Sequence, residues 1–140
     1  MKKKVYLLVL FCLLLCITGC NKKTEKQKKT GGDAIDISGE KIEDKASIDS
    51  IKIESGHIKL QINNLTSDNK LLSAYMTYTC YDSNDEELSS NNLDADSLGI
   101  GPGELSTEID FAPPILNGSK IVVTFRSLIF ENSKDNLERQ

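Results

Sequence analysis

The chain of 140 residues has no tryptophan, three prolines, one histidine and four cysteines. Each shortage removes a class of explanation. A lone histidine, His57, cannot build a metal site of paired histidines, and no nucleophile, base and orienting acid are spaced around it. It reads as a surface strand residue. The cysteines form no metal-spaced cluster, and no glycine-rich stretch has the pattern of a phosphate-cradling loop. Glu86 and Glu87 are adjacent, so on a strand they face opposite sides and cannot converge on one substrate. Asp82, Asn84 and Glu86 stand at alternate positions as in a calcium loop, but Glu87 replaces its glycine and Leu93 its closing glutamate. That tract reads as a polar hairpin end. No metal or cofactor is expected, and a non-catalytic role is favoured over a hydrolase working through acidic residues.

Long apolar runs are equally scarce. The longest covers residues 5–17, preceded by Lys2, Lys3 and Lys4 and closed by Ile17-Thr18-Gly19-Cys20. Its roughly 13 residues would span about 20 Å as a helix, short of the roughly 20 residues that cross a bilayer. By composition alone an ordinary secretory signal, an uncleaved anchor and a chance placement of Cys20 all fit. Lys22, Lys23, Lys26, Lys28 and Lys29 make the far flank as basic as the near one and remove the usual orientation cue. The stretch Ile17-Thr18-Gly19-Cys20 resembles the lipobox of bacterial lipoproteins, in which a branched apolar residue, a small residue and Gly or Ala precede the cysteine. That resemblance implies diacylglycerol on Cys20, cleavage between Gly19 and Cys20, and a mature chain held in the lipid bilayer on the extracytoplasmic side of a bacterial cell membrane.

Cys12 and Cys16 fall inside the segment that would be removed. With Cys20 lipidated, Cys80 has no partner, so the exported domain stands without a disulfide framework and Cys80 is expected to be a buried apolar residue. The expected organisation is a signal segment at 1–19, the lipidated cysteine with a flexible lysine-rich linker at 20–46, a folded domain at 47–132 and a polar, fraying tail at 133–140. A weak helical turn is expected within residues 40–46. Charge reverses along the chain: residues 21–30 carry five lysines against one glutamate, whereas residues 31–140 carry nine basic and twenty acidic residues. An acidic domain repels nucleic acid, so no nucleic-acid partner is expected.

What the chain does have is β-strand pattern. Ile51 and Ile53, then Ile58, Leu60 and Ile62, alternate with polar residues on either side of Ser55-Gly56, which predicts a hairpin. Residues 63–70 are turn chemistry. In residues 71–81, Leu72, Ala74, Met76, Tyr78 and Cys80 share the more apolar face, assigned to the core, and Tyr75 and Tyr81 fall on the outer face or at an edge. Residues 85–101 read as a short edge strand and an irregular connection, with Asp94 and Asp96 in a surface loop. Gly101-Pro102-Gly103 makes a turn. Leu105, Ile109 and Phe111 suggest another strand with Thr107 in the intermediate inward slot. The run 120–130 is apolar on both faces and belongs in the middle of a sheet.

These features predict an all-β fold, an antiparallel immunoglobulin-like β-sandwich of about six to seven strands, with a small barrel as the alternative. Residues 58–64 (Ile-Lys-Leu-Gln-Ile-Asn-Asn), 72–76 (Leu-Ser-Ala-Tyr-Met), 81–84 (Tyr-Asp-Ser-Asn) and Pro102-Gly103 resemble the immunoglobulin-like FxLYD type of extracytoplasmic module found in bacterial lipoproteins. Asp85 departs from the turn glycine of that pattern. The resemblance implies an accessory or binding module that carries no catalytic residues. Its ligand would be a protein or an envelope polymer, with Tyr75 and Tyr81 as candidate contacts; a structural subunit of an envelope complex is the alternative, and would expose a larger apolar patch or a long unpaired strand edge.

Overall fold

The alternating isoleucines form the expected hairpin. In the computed structural model, which describes residues 35–140, strands β3 (Ala46–Glu54) and β4 (His57–Asn64) pair antiparallel with Glu54 opposite His57. Ser55 and Gly56 both take positive φ, 53° and 79°. Such a turn matches the right-handed twist of the strands it joins. The signal segment, Cys20 and residues 21–34 of the linker lie outside the described residues.

Seven further strands complete two sheets: β1 (Asp36–Gly39), β2 (Lys41–Ile42), β5 (Leu71–Tyr81), β6 (Glu87–Ala95), β7 (Ile109–Phe111), β8 (Lys120–Phe130) and β9 (Leu137–Glu138). One sheet has the order β1-β8-β5-β6, with β9 also on β8; the other has the order β2-β3-β4-β7. All pairings are antiparallel except β1 with β8. The sheets pack as a β-sandwich around a core that includes Ile58, Leu60 and Ile62 from one and Met76, Tyr78, Ile121, Val123 and Phe125 from the other. Tyr78 is wholly buried, its hydroxyl donating to the Ile115 carbonyl at 2.9 Å, and desolvation holds its phenol above the ordinary range. Cys80 is a buried free thiol in the same layer.

Several expectations are corrected. Residues 36–46 are not linker and contain no helix: Ile35 and Ile37 pack on the core, and Glu40 joins both sheets, its N–H donating to Val123 O and its carbonyl accepting from Ile48 N, each at 2.9 Å. Gly39 allows this crossing, because a Cβ there would lie 2.5 Å from the Ile48 Cβ. Residues 133–140 are not a frayed tail but a 3-10 turn (Ser133–Asp135) followed by β9. Leu71 rather than Leu72 enters the core, since a register shift between Leu71 and Ser73 moves the face by one. A second shift, between Tyr75 and Met76, turns Leu128 and Phe130 to the same inner side as Ile121, Val123 and Phe125. Thr107 and Leu105 are exposed, and half-buried Ser106 docks this segment on the β4 edge: its hydroxyl accepts from Ile62 N at 2.9 Å and its N–H donates to Ile62 O at 2.8 Å.

Three polar residues of the 63–70 turn, Asn64, Thr66 and Asn69, are buried, while Ser67, Asp68 and Lys70 are exposed. Asn64 Nδ2 donates to the carbonyls of Asn69 (2.7 Å) and Ile100 (3.0 Å), and its Oδ1 accepts from the Thr66 N–H (3.0 Å) and hydroxyl (2.8 Å). Asn69 Nδ2 in turn reaches Asn132 O and Asp135 Oδ2, fixing the C-terminal turn. Buried polar groups persist where partners meet their full bonding capacity.

Candidate functional site

The outer faces of the two sheets differ in kind. On the outer face of the four-stranded sheet, diagonal and flanking neighbours pair basic with acidic groups: Lys52 lies 3.1 Å from Glu108, Lys59 2.5 Å from Glu54, and His57 Nδ1 2.6 Å from Asp110. The Glu54 carboxyl is held below its usual range by the Lys59 ammonium and the Lys59 amine above its own. That face satisfies its own charges.

The outer face of the five-stranded sheet is neutral in its centre. Thr77 stands opposite Asn92 on β6 and Thr124 on β8, and Thr79 opposite Ser90 and Val122. Thr79 and Ser90 hydroxyls lie 3.1 Å apart. Tyr75 and Tyr81 close the two ends of this row, six residues and therefore roughly 20 Å apart along β5. Both are half-buried on the outer face, the side expected of them.

At one end the Tyr75 hydroxyl donates to Asp96 at 2.6 Å, and this bond holds the phenol above its usual range. The Arg126 guanidinium sits 5.9 Å from the ring centroid and pairs with Asp94 at 3.1 Å. Together with Ser127, Glu138 and Arg139, these side chains line a shallow cleft of about 410 Å³. At the other end Lys120 lies 5.4 Å from the Tyr81 ring centroid and 2.8 Å from Asp85. Each tyrosine is thus a flat ring propped by a cation that is itself tied to a carboxylate.

β6 is longer than the short edge strand expected, with nine residues, and Asp94 is on it rather than in a loop. Arg126, Lys120, Asp96 and the Ser90–Asn92–Asp94 row join the tyrosines only in the folded chain. Their signal was the alternation of polar residues at 90, 92 and 94, hidden because Ser, Asn and Asp also mark loops. The tract 82–86 is the expected hairpin end: Asp82 Oδ1 accepts from the Asn84 and Glu86 N–H groups at 2.7 and 3.0 Å, which lowers its pKa, and Asp85 takes φ 62° where a glycine would be usual. Among the described residues no group of acidic, histidine and cysteine side chains is placed to hold a metal. No protein-family model matches this sequence, and neither curated proteins nor solved structures give a match to it.

Proposed function

We propose that the protein is a lipoprotein, anchored by diacylglycerol on Cys20 outside the bacterial cell membrane, whose immunoglobulin-like sandwich is a non-catalytic binding module for a protein or an envelope polymer. The outer face of the five-stranded sheet is its contact surface. The observation carrying this reading is the contrast between the faces: one spends its charges on itself, while the other offers a neutral hydroxyl and amide row with a propped tyrosine at each end. Hydroxyl and amide side chains bond adaptably, and tyrosine adds contact area at small entropic cost. The carboxylates near Tyr75 support binding over hydrolysis, since Asp94 is paired with Arg126 and Asp96 accepts from the tyrosine.

The anchor is tested by Cys20→Ala with membrane fractionation and intact mass. The variant is expected to leave the membrane or to accumulate as an uncleaved precursor. An unchanged mature mass in an unchanged membrane fraction contradicts lipidation at Cys20.

A further inference from the structure

The backbone of β6 is a long open edge of this fold, the feature expected of the structural-subunit alternative. Among the described residues its only strand neighbour is β5, and no loop backbone bonds to residues 87–95. The other terminal strands are short, β2 and β9 with two residues, β7 three and β1 four. The part of β3 that β2 leaves uncovered, residues 49–54, is broken by a register shift between Asp49 and Lys52 and carries Lys52 and Glu54. Asp82 N–H bonds to Glu86 O and Leu72 O accepts from Leu98 N, so even-numbered residues of β5 turn toward β6. Their partners in register are Ser89, Asn91, Leu93 and Ala95, which leaves the N–H and C=O groups of Ser90, Asn92 and Asp94 pointing away from the sheet. Proteins usually blunt such an edge with proline, lysine or a very short strand. The stretch Leu88-Ser89-Ser90-Asn91-Asn92-Leu93 has no charge and no proline, and the one register irregularity is confined to its Glu87–Ser89 end.

Charge decides what can fill it. Acids bracket the neutral centre: Glu86 and Glu87 before it, and after it Asp94 and Asp96, which already hold Arg126 and the Tyr75 hydroxyl but remain partly exposed. Antiparallel pairing with a second copy sets Glu86 opposite Asp94 at both ends when centred on Ser90, and opposite Asp96 when centred on Asn91; centred on Asn92 it escapes those clashes but brings no opposite charge to any of the acids. Parallel in-register pairing stacks like on like. Opposed like charges destabilise a strand pair and opposite charges stabilise it. We propose that β6 accepts an extended segment of another protein as an added strand, the segment carrying a basic residue on each side of an uncharged, proline-free centre. This goes beyond the tyrosine face and does not depend on it: the affinity comes from main-chain bonds along the edge, and the selection from the two acidic ends.

The test uses the full-length chain in detergent micelles and three ten-residue probe peptides: alternating Thr and Val with Lys at each end, the same with Glu at each end, and the Lys-ended peptide with a central Pro. Binding is read by titration and by amide hydrogen exchange. The Lys-ended peptide is expected to bind about tenfold or more tightly than either control, with its gain weakening in salt and new protection at Ser90, Asn92 and Asp94. Asn92→Pro, which removes an outward N–H and leaves the β5 ladder intact, should abolish binding. Glu86→Lys with Glu87→Lys should erase the preference for Lys ends, and serves if the proline variant does not fold. Tyr75→Ala with Tyr81→Ala should leave peptide binding unchanged, so failure of the tyrosine face and failure of the edge are separable. Equal binding of all three peptides, protection elsewhere, or a concentration-dependent dimer protected at the same three amides would overturn the proposal.

Discussion

Asn64 is the polar residue on which the most structure depends. Wholly buried, it uses both amide protons and both oxygen lone pairs, tying the end of β4 to the 65–70 turn and to Ile100. In Asn64→Ala the Thr66 N–H loses its acceptor in the interior, about 1–3 kcal/mol, and the emptied volume adds about 1 kcal/mol. A total near 3 kcal/mol is a large part of the roughly 5–15 kcal/mol that holds a domain together. Urea unfolding followed by circular dichroism, on a soluble form beginning after residue 20, should show a midpoint lower by about 2 M for a slope near 1.3 kcal/mol per molar. Asn64→Asp is the sharper test because it keeps the shape. At neutral pH it aims a carboxylate oxygen at the carbonyls of Asn69 and Ile100. Burial, with two carbonyls and no donor facing the oxygen that replaces Nδ2, outweighs the Thr66 donors on Oδ1 and raises the folded pKa of that acid above its unfolded value, so the variant loses stability as pH rises from the unfolded pKa, about 4, through the folded one. The penalty relative to the parent should therefore be larger at pH 7 than at pH 3. An Asn64→Asp variant within about 0.5 kcal/mol of the parent at pH 7, or with equal penalties at both pH values, would refute the bonding scheme.

Gly39→Ala tests whether residues 36–42 belong to the fold: with Ile48 in the way, it should cost about 1–3 kcal/mol by the same unfolding assay, whereas a residue in a free linker would cost nothing. Asp82 should titrate by NMR below the ordinary aspartate range because two backbone N–H groups stabilise its ionised form. Since its folded pKa is depressed, its contribution is present above the unfolded value and lost as pH falls through the folded one; Asp82→Asn should flatten that part of the acid unfolding curve, and an unshifted titration would contradict the turn.

Strand identity was legible wherever alternation was clean. The β3–β4 hairpin, the Ala74–Cys80 face and the placement of Tyr75 and Tyr81 all follow from period two, and the structure keeps them. What escaped was written in tertiary contacts. The signal of β1 is Ile35 and Ile37 alone, too short to stand out beside lysine-rich chain, and it becomes a strand only because β8 offers an edge. The C-terminal turn looks polar because its partners, Asn69 and Glu40, are distant in sequence: Asn69 bonds Asn132 and Asp135, and Arg139 pairs with Glu40 at 2.8 Å. Register shifts in β5 and β8 moved whole faces by one residue, which no alternation count registers. The candidate site shared this limit: two tyrosines on one strand were readable, but the cations beside them come from β8 and the amide row from β6.

The central claim is that the outer face of the five-stranded sheet is where the ligand sits. A photo-crosslinking side chain placed at Thr77, between the two tyrosines, tests it in intact cells against the same group at Lys52, on the outer face of the other sheet. The account predicts a discrete crosslinked adduct from position 77, lost when Tyr75 and Tyr81 are both replaced by Ala, and none from position 52. An adduct from position 52 alone, or one from position 77 that survives loss of both tyrosines, would contradict it.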